Sequence, residues 1–151
     1  MSSTDLSRLV LLYLFPALGL VIVAVFAVKA YRFRKELGKL KQTVADFREK
    51  LAETEKAVAA VPPPPAWYPE SVATPYRLYV TVAKDAITRA KMALVSTEAN
   101  LRGRWILGTE MSLEDAKRPQ RDAQDAIEQL ARHDEFATDA LERQASRGGG
   151  N

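Results

Sequence analysis

The first pattern along the chain is an unbroken apolar run, because residues Leu9 to Val28 include no charged side chain. Fourteen of these twenty residues are Leu, Ile, Val or Phe. A helix rises about 1.5 Å per residue, so twenty residues span roughly 30 Å, the thickness of a bilayer's hydrocarbon core. Pro16 and Gly19 are tolerated in such a helix, because neighbouring groups in a membrane satisfy the freed backbone. The pattern predicts a transmembrane helix over residues 9–30, after a short tail over residues 1–8.

The charges beside this run predict its orientation. Only Arg8, offset by Asp5, precedes it. A membrane-proximal basic cluster follows it, namely Lys29, Arg32, Arg34, Lys35, Lys39 and Lys41. Lys and Arg near the ends of a membrane helix favour the cytoplasmic side. We therefore expect an outside N-terminus and cytoplasmic C-terminal helices, in the plasma or inner membrane. The alternative is a cleaved secretory signal, although such a signal carries its positive charge before a shorter apolar core.

After the anchor, apolar residues recur at intervals of four and three. They are Phe33, Leu37, Leu40, Val44, Phe47, Leu51 and Val58, with one lapse at Thr54. A stripe of period 3.5 on a charged helix is typical of coiled-coil packing. It predicts a coiled-coil helix over residues 31–61, continuous with the transmembrane helix, and makes these seven residues a candidate interface.

Three occupants of this heptad stripe remain open. They are a second copy in a parallel homo-oligomer, another membrane-protein subunit, and the downstream helices of the same chain. Flanking charges of opposite sign, such as Glu36 with Lys41, suit a parallel pair. The first occupant is therefore favoured, and packing within the chain is the least favoured of the three.

Prolines mark the end of this helix. Pro62 to Pro65 cannot continue it and favour extended geometry, so residues 62–74 are predicted as a Pro-rich elbow whose aromatic residues pack on the next helices. Thr74 before Pro75 matches an N-cap followed by proline at the first helical position. Apolar residues at helical spacing then predict a helix to about residue 107.

A second break is predicted at Gly108 to Met111, since glycine commonly follows the last turn of a helix. Ser112 with Asp115 resembles a capping box and predicts a further helix to about residue 145, which Pro119 ends or kinks near its start. Residues 75–146 are therefore predicted as an antiparallel helical hairpin, and residues 147–151 as a flexible tail.

Arg102, Arg104 and Trp105 fall near the tip of this hairpin. Trp is a common anchor at membrane interfaces and at protein contacts, so these residues are candidates for touching a membrane surface or a partner. Packing of Trp105 inside the end of the hairpin is the favoured alternative.

Composition and charge agree with this helical organisation and indicate no particular chemical activity. Residues 109–151 carry ten acidic and six basic side chains, whereas residues 62–108 carry three and six. An acidic arm beside a basic one fits a hairpin and gives no indication of nucleic-acid binding. The chain has no cysteine, which excludes disulfides and Cys-based zinc sites.

The single histidine lacks metal-ligand neighbours. His133 has Gln129, Leu130, Phe136 and Ala137 at the helical spacings that share its face. The carboxylates stand among basic residues as a solvated charged face would, and the chain has no phosphate-binding loop or nucleophile motif. We expect no metal, no cofactor and no catalytic residue.

Together the patterns predict an all-α, non-enzymatic, single-pass membrane scaffold or accessory subunit. Its expected partners are the lipid bilayer and other membrane-protein subunits or a second copy, with neither nucleic acid nor a small-molecule substrate. The order of an N-terminal anchor and a coiled coil also resembles phage inner-membrane spanins. That resemblance implies an alternative function as an envelope-spanning lysis or fusion factor, with the helices on the opposite side of the membrane.

Overall fold

The computed structural model describes residues 13–148 of this protein, and within that range all regular structure is helical. Helix α1 runs over Phe15–Ala59, α2 over Glu70–Arg102 and α3 over Ile106–Gly148. The expected all-α class is confirmed. The predicted tail over residues 1–8, the start of the apolar run at residues 9–12 and the last residues, 149–151, lie outside the described range.

The chain divides into two compact units, one up to Lys39 and the other from Leu40 onward. The described part of the first unit contains the N-terminal part of α1, and its large hydrophobic side chains from Tyr13 to Val28 are 48–72% exposed. A window of this helix has a mean hydropathy of 1.7 and is long and apolar enough to cross a membrane. Such a helix near the N-terminus agrees with the expected anchor.

The second unit is a bundle of three helices built from the end of α1, α2 and α3. Its main core combines α1 residues with an alanine-rich surface of the other two helices, including Ala83, Ala90 and Ala123. Small side chains let α2 and α3 approach each other closely, and the same core cluster contains Val44, Phe47, Leu51 and Val58 of α1. The heptad stripe from Val44 to Val58 therefore packs inside the chain, which was the least favoured of the three expectations.

Ion pairs show the directions of α1 and α2 within the bundle. Arg48 on α1 pairs with Glu98 on α2, and Glu55 pairs with Lys91. Because the α2 residue number falls as the α1 number rises, the two helices run in opposite directions.

Helix α2 begins at Glu70, five residues earlier than expected. Pro69 occupies the N-cap position with extended φ and ψ of −62° and 152°, and its carbonyl accepts the amide of Ala73 at 3.0 Å. Pro75 lies inside the helix, where its missing amide forfeits one backbone hydrogen bond. Burial of Ala73 and Tyr76 on either side of it stabilises this additional turn.

The second break lies at residues 103–105, before the predicted glycine. Arg104 adopts a left-handed conformation with φ of 58° and reverses the chain. The Asn100 side chain donates to the carbonyl of Gly108 at 3.0 Å and to Ser112 Oγ at 3.2 Å. Ser112 thus lies inside α3 and does not cap it, and Gly108 belongs to the first turn of that helix. Helix α3 also continues through Pro119.

Candidate interaction surfaces

The heptad stripe has two different environments, which change at Leu40. From there to Val58 its five residues are 2–9% exposed, and four of them belong to the main core: Val44, Phe47, Leu51 and Val58. In this structure α2 and α3 of the same chain cover these four residues, whereas the sequence pattern favoured an interface with another chain. Phe33 is 40% exposed and Leu37 is partly exposed, so these two remain candidate contact residues.

Thr54, the polar residue within the heptad stripe, makes a buried polar contact. Thr54 is 6% exposed, and its Oγ1 donates to the carbonyl of Lys50 at 2.9 Å. The same oxygen accepts Gln120 Nε2 at 3.1 Å and Gln124 Nε2 at 3.4 Å. A buried hydroxyl with all its partners carries little penalty, whereas an unpaired one costs about 1–3 kcal/mol. This contact therefore favours one alignment of α1 against α3.

Aromatic residues hold the proline-rich segment against the bundle. Tyr68 Oη donates to Asp134 Oδ1 at 2.5 Å, and Tyr76 Oη donates to the carbonyl of Pro62 at 3.0 Å. Burial raises the pKa of Tyr68, and the hydrogen bond to Asp134 raises it further. Burial also raises the pKa of Tyr76. These groups are structural, because each phenol is tied to the protein.

His133 has a structural environment as well. Its Nε2 lies 3.1 Å from the carbonyl oxygen of Val72, and its ring lies 6.1 Å from that of Tyr79. Across residues 13–148, no group of three or more His, Cys, Asp or Glu residues is placed to hold a metal ion.

The basic cluster that follows the apolar run is a second surface. All six of its side chains are exposed, from Lys29 to Lys41. Six exposed basic side chains within thirteen residues can bind anionic groups, such as the headgroups of a negatively charged membrane leaflet.

A third surface, the α2 outer stripe, was not recognised from the sequence. It consists of Leu78, Val82, Asp85, Arg89 and Met92, which repeat at intervals of four and three. Leu78, Val82 and Met92 are 61%, 41% and 68% exposed. The central part of the stripe borders a shallow depression of about 560 Å³. Among the described residues, Asp85 and Arg89 have no ion-pair partner.

The α2 outer stripe follows the core positions of the same helix by two residues. Val80, Ile87 and Ala90 face the bundle, and Val82, Arg89 and Met92 come two places later. Two residues correspond to about 200° around a helix, so the stripe lies on the opposite face. A search for a second apolar periodicity out of phase with the first would have found it.

A fourth surface, the turn patch, lies where α2 meets α3. It consists of Trp105, Leu107 and Met111, which are 60–62% exposed, with exposed Arg102 and Arg104 beside them. Trp105 is thus exposed to solvent, against the favoured expectation that it packs inside the hairpin end.

Comparisons of the chain with protein-family models, with curated proteins and with solved structures find no match.

Proposed function

We propose that this chain is a single-pass membrane scaffold or accessory subunit that works by binding and not by catalysis. The observation that carries the proposal is the α2 outer stripe. Exposed apolar side chains at coiled-coil spacing on a helix that is already packed on its other face are typical of a docking surface for one more helix.

The stripe also defines the chemistry of its partner. A partner helix would place apolar residues against Leu78, Val82 and Met92. It would place a basic residue near Asp85 and an acidic one near Arg89, because burying either charge without a counter-charge is costly. The partner we infer is therefore an amphipathic helix of another membrane subunit with one complementary charge pair at its centre.

The anchor supplies the second contact. Phe33 and Leu37 continue the heptad register of Phe26 and Ala30, so one face of α1 remains for a parallel neighbour, either another subunit or a second copy. In this proposal the coiled-coil interaction is limited to residues before Leu40. The elbow and the helical hairpin form the cytoplasmic body that carries the α2 outer stripe.

A photo-crosslinking amino acid at Met92 tests the docking surface in the full chain in its native membrane. We expect one discrete crosslinked protein from Met92, and its loss when Asp85→Arg reverses the central charge. Gln129, an exposed residue of α3, is the matched control and should give no such product. Equal, diffuse crosslinking from both positions would contradict the proposal.

Topology is tested separately with a reporter fused after Asn151. The exposed basic cluster following the anchor supports a cytoplasmic location for the reporter. A reporter found outside the cytoplasm would contradict this orientation and favour the envelope-spanning, spanin-like alternative.

A further inference from the structure

The turn patch presents apolar side chains from a backbone with several hydrogen bonds. The amide of Trp105 donates to the carbonyl of Asn100 at 3.0 Å, and the Trp105 carbonyl accepts the Thr109 amide at 2.9 Å. The Thr109 hydroxyl also donates to that carbonyl, at 2.8 Å. The backbone of Trp105 is therefore anchored by three hydrogen bonds, while 60% of the residue is exposed.

The fit of the ring over Gly108 explains this arrangement. A Cβ built on Gly108 would lie 2.3 Å from Cε3 of Trp105, so the glycine provides the space that the ring occupies. Leu107 and Met111 are four residues apart on α3 and therefore share one face of that helix. The turn patch combines three exposed large apolar side chains within seven residues.

The charges around the patch suit an anionic partner. Arg102 and Arg104 are exposed, and they are the only charged residues of the sequence between Glu98 and Glu110. Neither arginine has an ion-pair partner within the described part of the chain. Arginine binds phosphate oxygens through paired donors, and tryptophan is enriched at the level of lipid headgroups. This combination suits the headgroup layer of an anionic membrane.

The position of the patch within the second unit also supports a lipid surface. Because α1 and α2 run in opposite directions, with Arg48 paired to Glu98, the turn lies at the end of this unit that contains Leu40. Trp67 lies at the other end, beside the start of α2.

The chain connects that end of the second unit directly to the apolar run. Eleven residues lie between Val28 and Leu40. Even a fully extended chain of this length spans no more than about 43 Å, so Leu40 is tethered within that distance of the end of the apolar run.

We propose that the turn patch docks on the surface of the same bilayer that holds the anchor. Trp105, Leu107 and Met111 enter the headgroup region, and Arg102 and Arg104 bind the phosphates of anionic lipids. The inference rests on the proposed membrane anchoring. It adds a second lipid contact that holds the helical body against the membrane and leaves the α2 outer stripe for the partner.

The two tryptophans of the chain provide the test. Trp67→Phe leaves Trp105 as the only indole, and Trp105→Phe leaves Trp67, which is equally exposed at 60%. Each full-length variant is reconstituted into vesicles of phosphatidylcholine and phosphatidylglycerol in which part of the lipid carries bromine on the acyl chains. Flotation of the vesicles measures anchoring independently of the fluorescence.

We expect Trp105 to lose much of its emission to the brominated lipid and to shift to the blue, and Trp67 to do neither. Arg102→Glu with Arg104→Glu should restore the emission, as should vesicles without phosphatidylglycerol. Lys84→Glu, a charge reversal at an exposed site along α2, is the control and should leave the quenching unchanged.

Three other results would overturn the inference. If the chain floats with the vesicles but both tryptophans are quenched equally or not at all, the lipid contact is wrong and the anchor stands. If Trp105 is unquenched and a crosslinker at Leu107 captures a protein, the patch is a protein contact. If the chain does not float, anchoring itself fails, and the inference fails with it.

Discussion

Replacing Leu51 by alanine tests whether the heptad stripe packs inside the chain. Leu51 is 2% exposed in the main core, so the change removes three buried carbon groups. At about 0.8 kcal/mol for each group, the lost transfer free energy is about 2.4 kcal/mol. The alanines of this core have only methyl groups with which to fill the cavity, so the expected total loss of unfolding free energy rises to about 3–5 kcal/mol.

Phe33→Ala is the matched control, because Phe33 belongs to the same stripe but is 40% exposed and lies before Leu40. It should change the stability of the bundle by less than about 0.5 kcal/mol. Both variants are measured as full chains in detergent, by denaturant unfolding followed with circular dichroism.

Protein concentration distinguishes the two kinds of packing. A core within one chain gives an unfolding midpoint that is independent of concentration, whereas an association between chains gives a midpoint that rises with it. A wild-type midpoint that rises with concentration, together with a small Leu51→Ala effect at high concentration, would refute packing within the chain.

Two further changes test the ends of the bundle. Gly108→Ala should displace the Trp105 ring and alter its fluorescence with little change in stability, because the added Cβ would lie 2.3 Å from that exposed ring. Gly103→Ala is the control: its Cβ would meet nothing closer than 3.5 Å, so the emission should stay unchanged. Tyr68→Phe should cost about 1–3 kcal/mol at neutral pH, since it removes the hydrogen bond to Asp134. Because the pKa of Tyr68 is raised, the folded chain keeps a proton that the unfolded chain loses near pH 10. The free energy of unfolding therefore falls as the pH rises above about 10. Tyr68→Phe should reduce this fall, measured by urea unfolding. An unchanged alkaline decline would contradict that assignment.

Hydrophobic periodicity predicted which side of α1 is buried but not what covers it. The period of 3.5 selects Val44, Phe47 and Leu51, and Thr54 occupies a stripe position even though it is polar. The pattern on one helix contains no information about its neighbour, and the alanines that cover it on α2 and α3 are also common on exposed helix faces. Only the contacts of the α1 stripe with α2 and α3, which are distant in the sequence, show that the stripe packs within one chain.

Helix ends were harder to predict, because local signals competed. Glycines at 103 and 108 both suit a helix end, and the left-handed Arg104 with the side chain of Asn100 selects the earlier one. Pro75 suits a first helical position, but burial of the residues around it outweighs the lost hydrogen bond. The α2 outer stripe was missed for a related reason, because a search for one buried face counts only one phase of the apolar repeat.

The central claim is that this chain is a membrane-anchored subunit of a larger assembly. The mass of the particle extracted from its native membrane tests that claim most directly. Native mass spectrometry of the chain after gentle extraction should give a particle that contains at least one further polypeptide beyond the 16.8 kDa of the chain itself. Asp85→Arg should reduce the proportion of that particle. A wild-type chain that is extracted only as a single 16.8 kDa polypeptide, with or without bound lipid, would contradict the account.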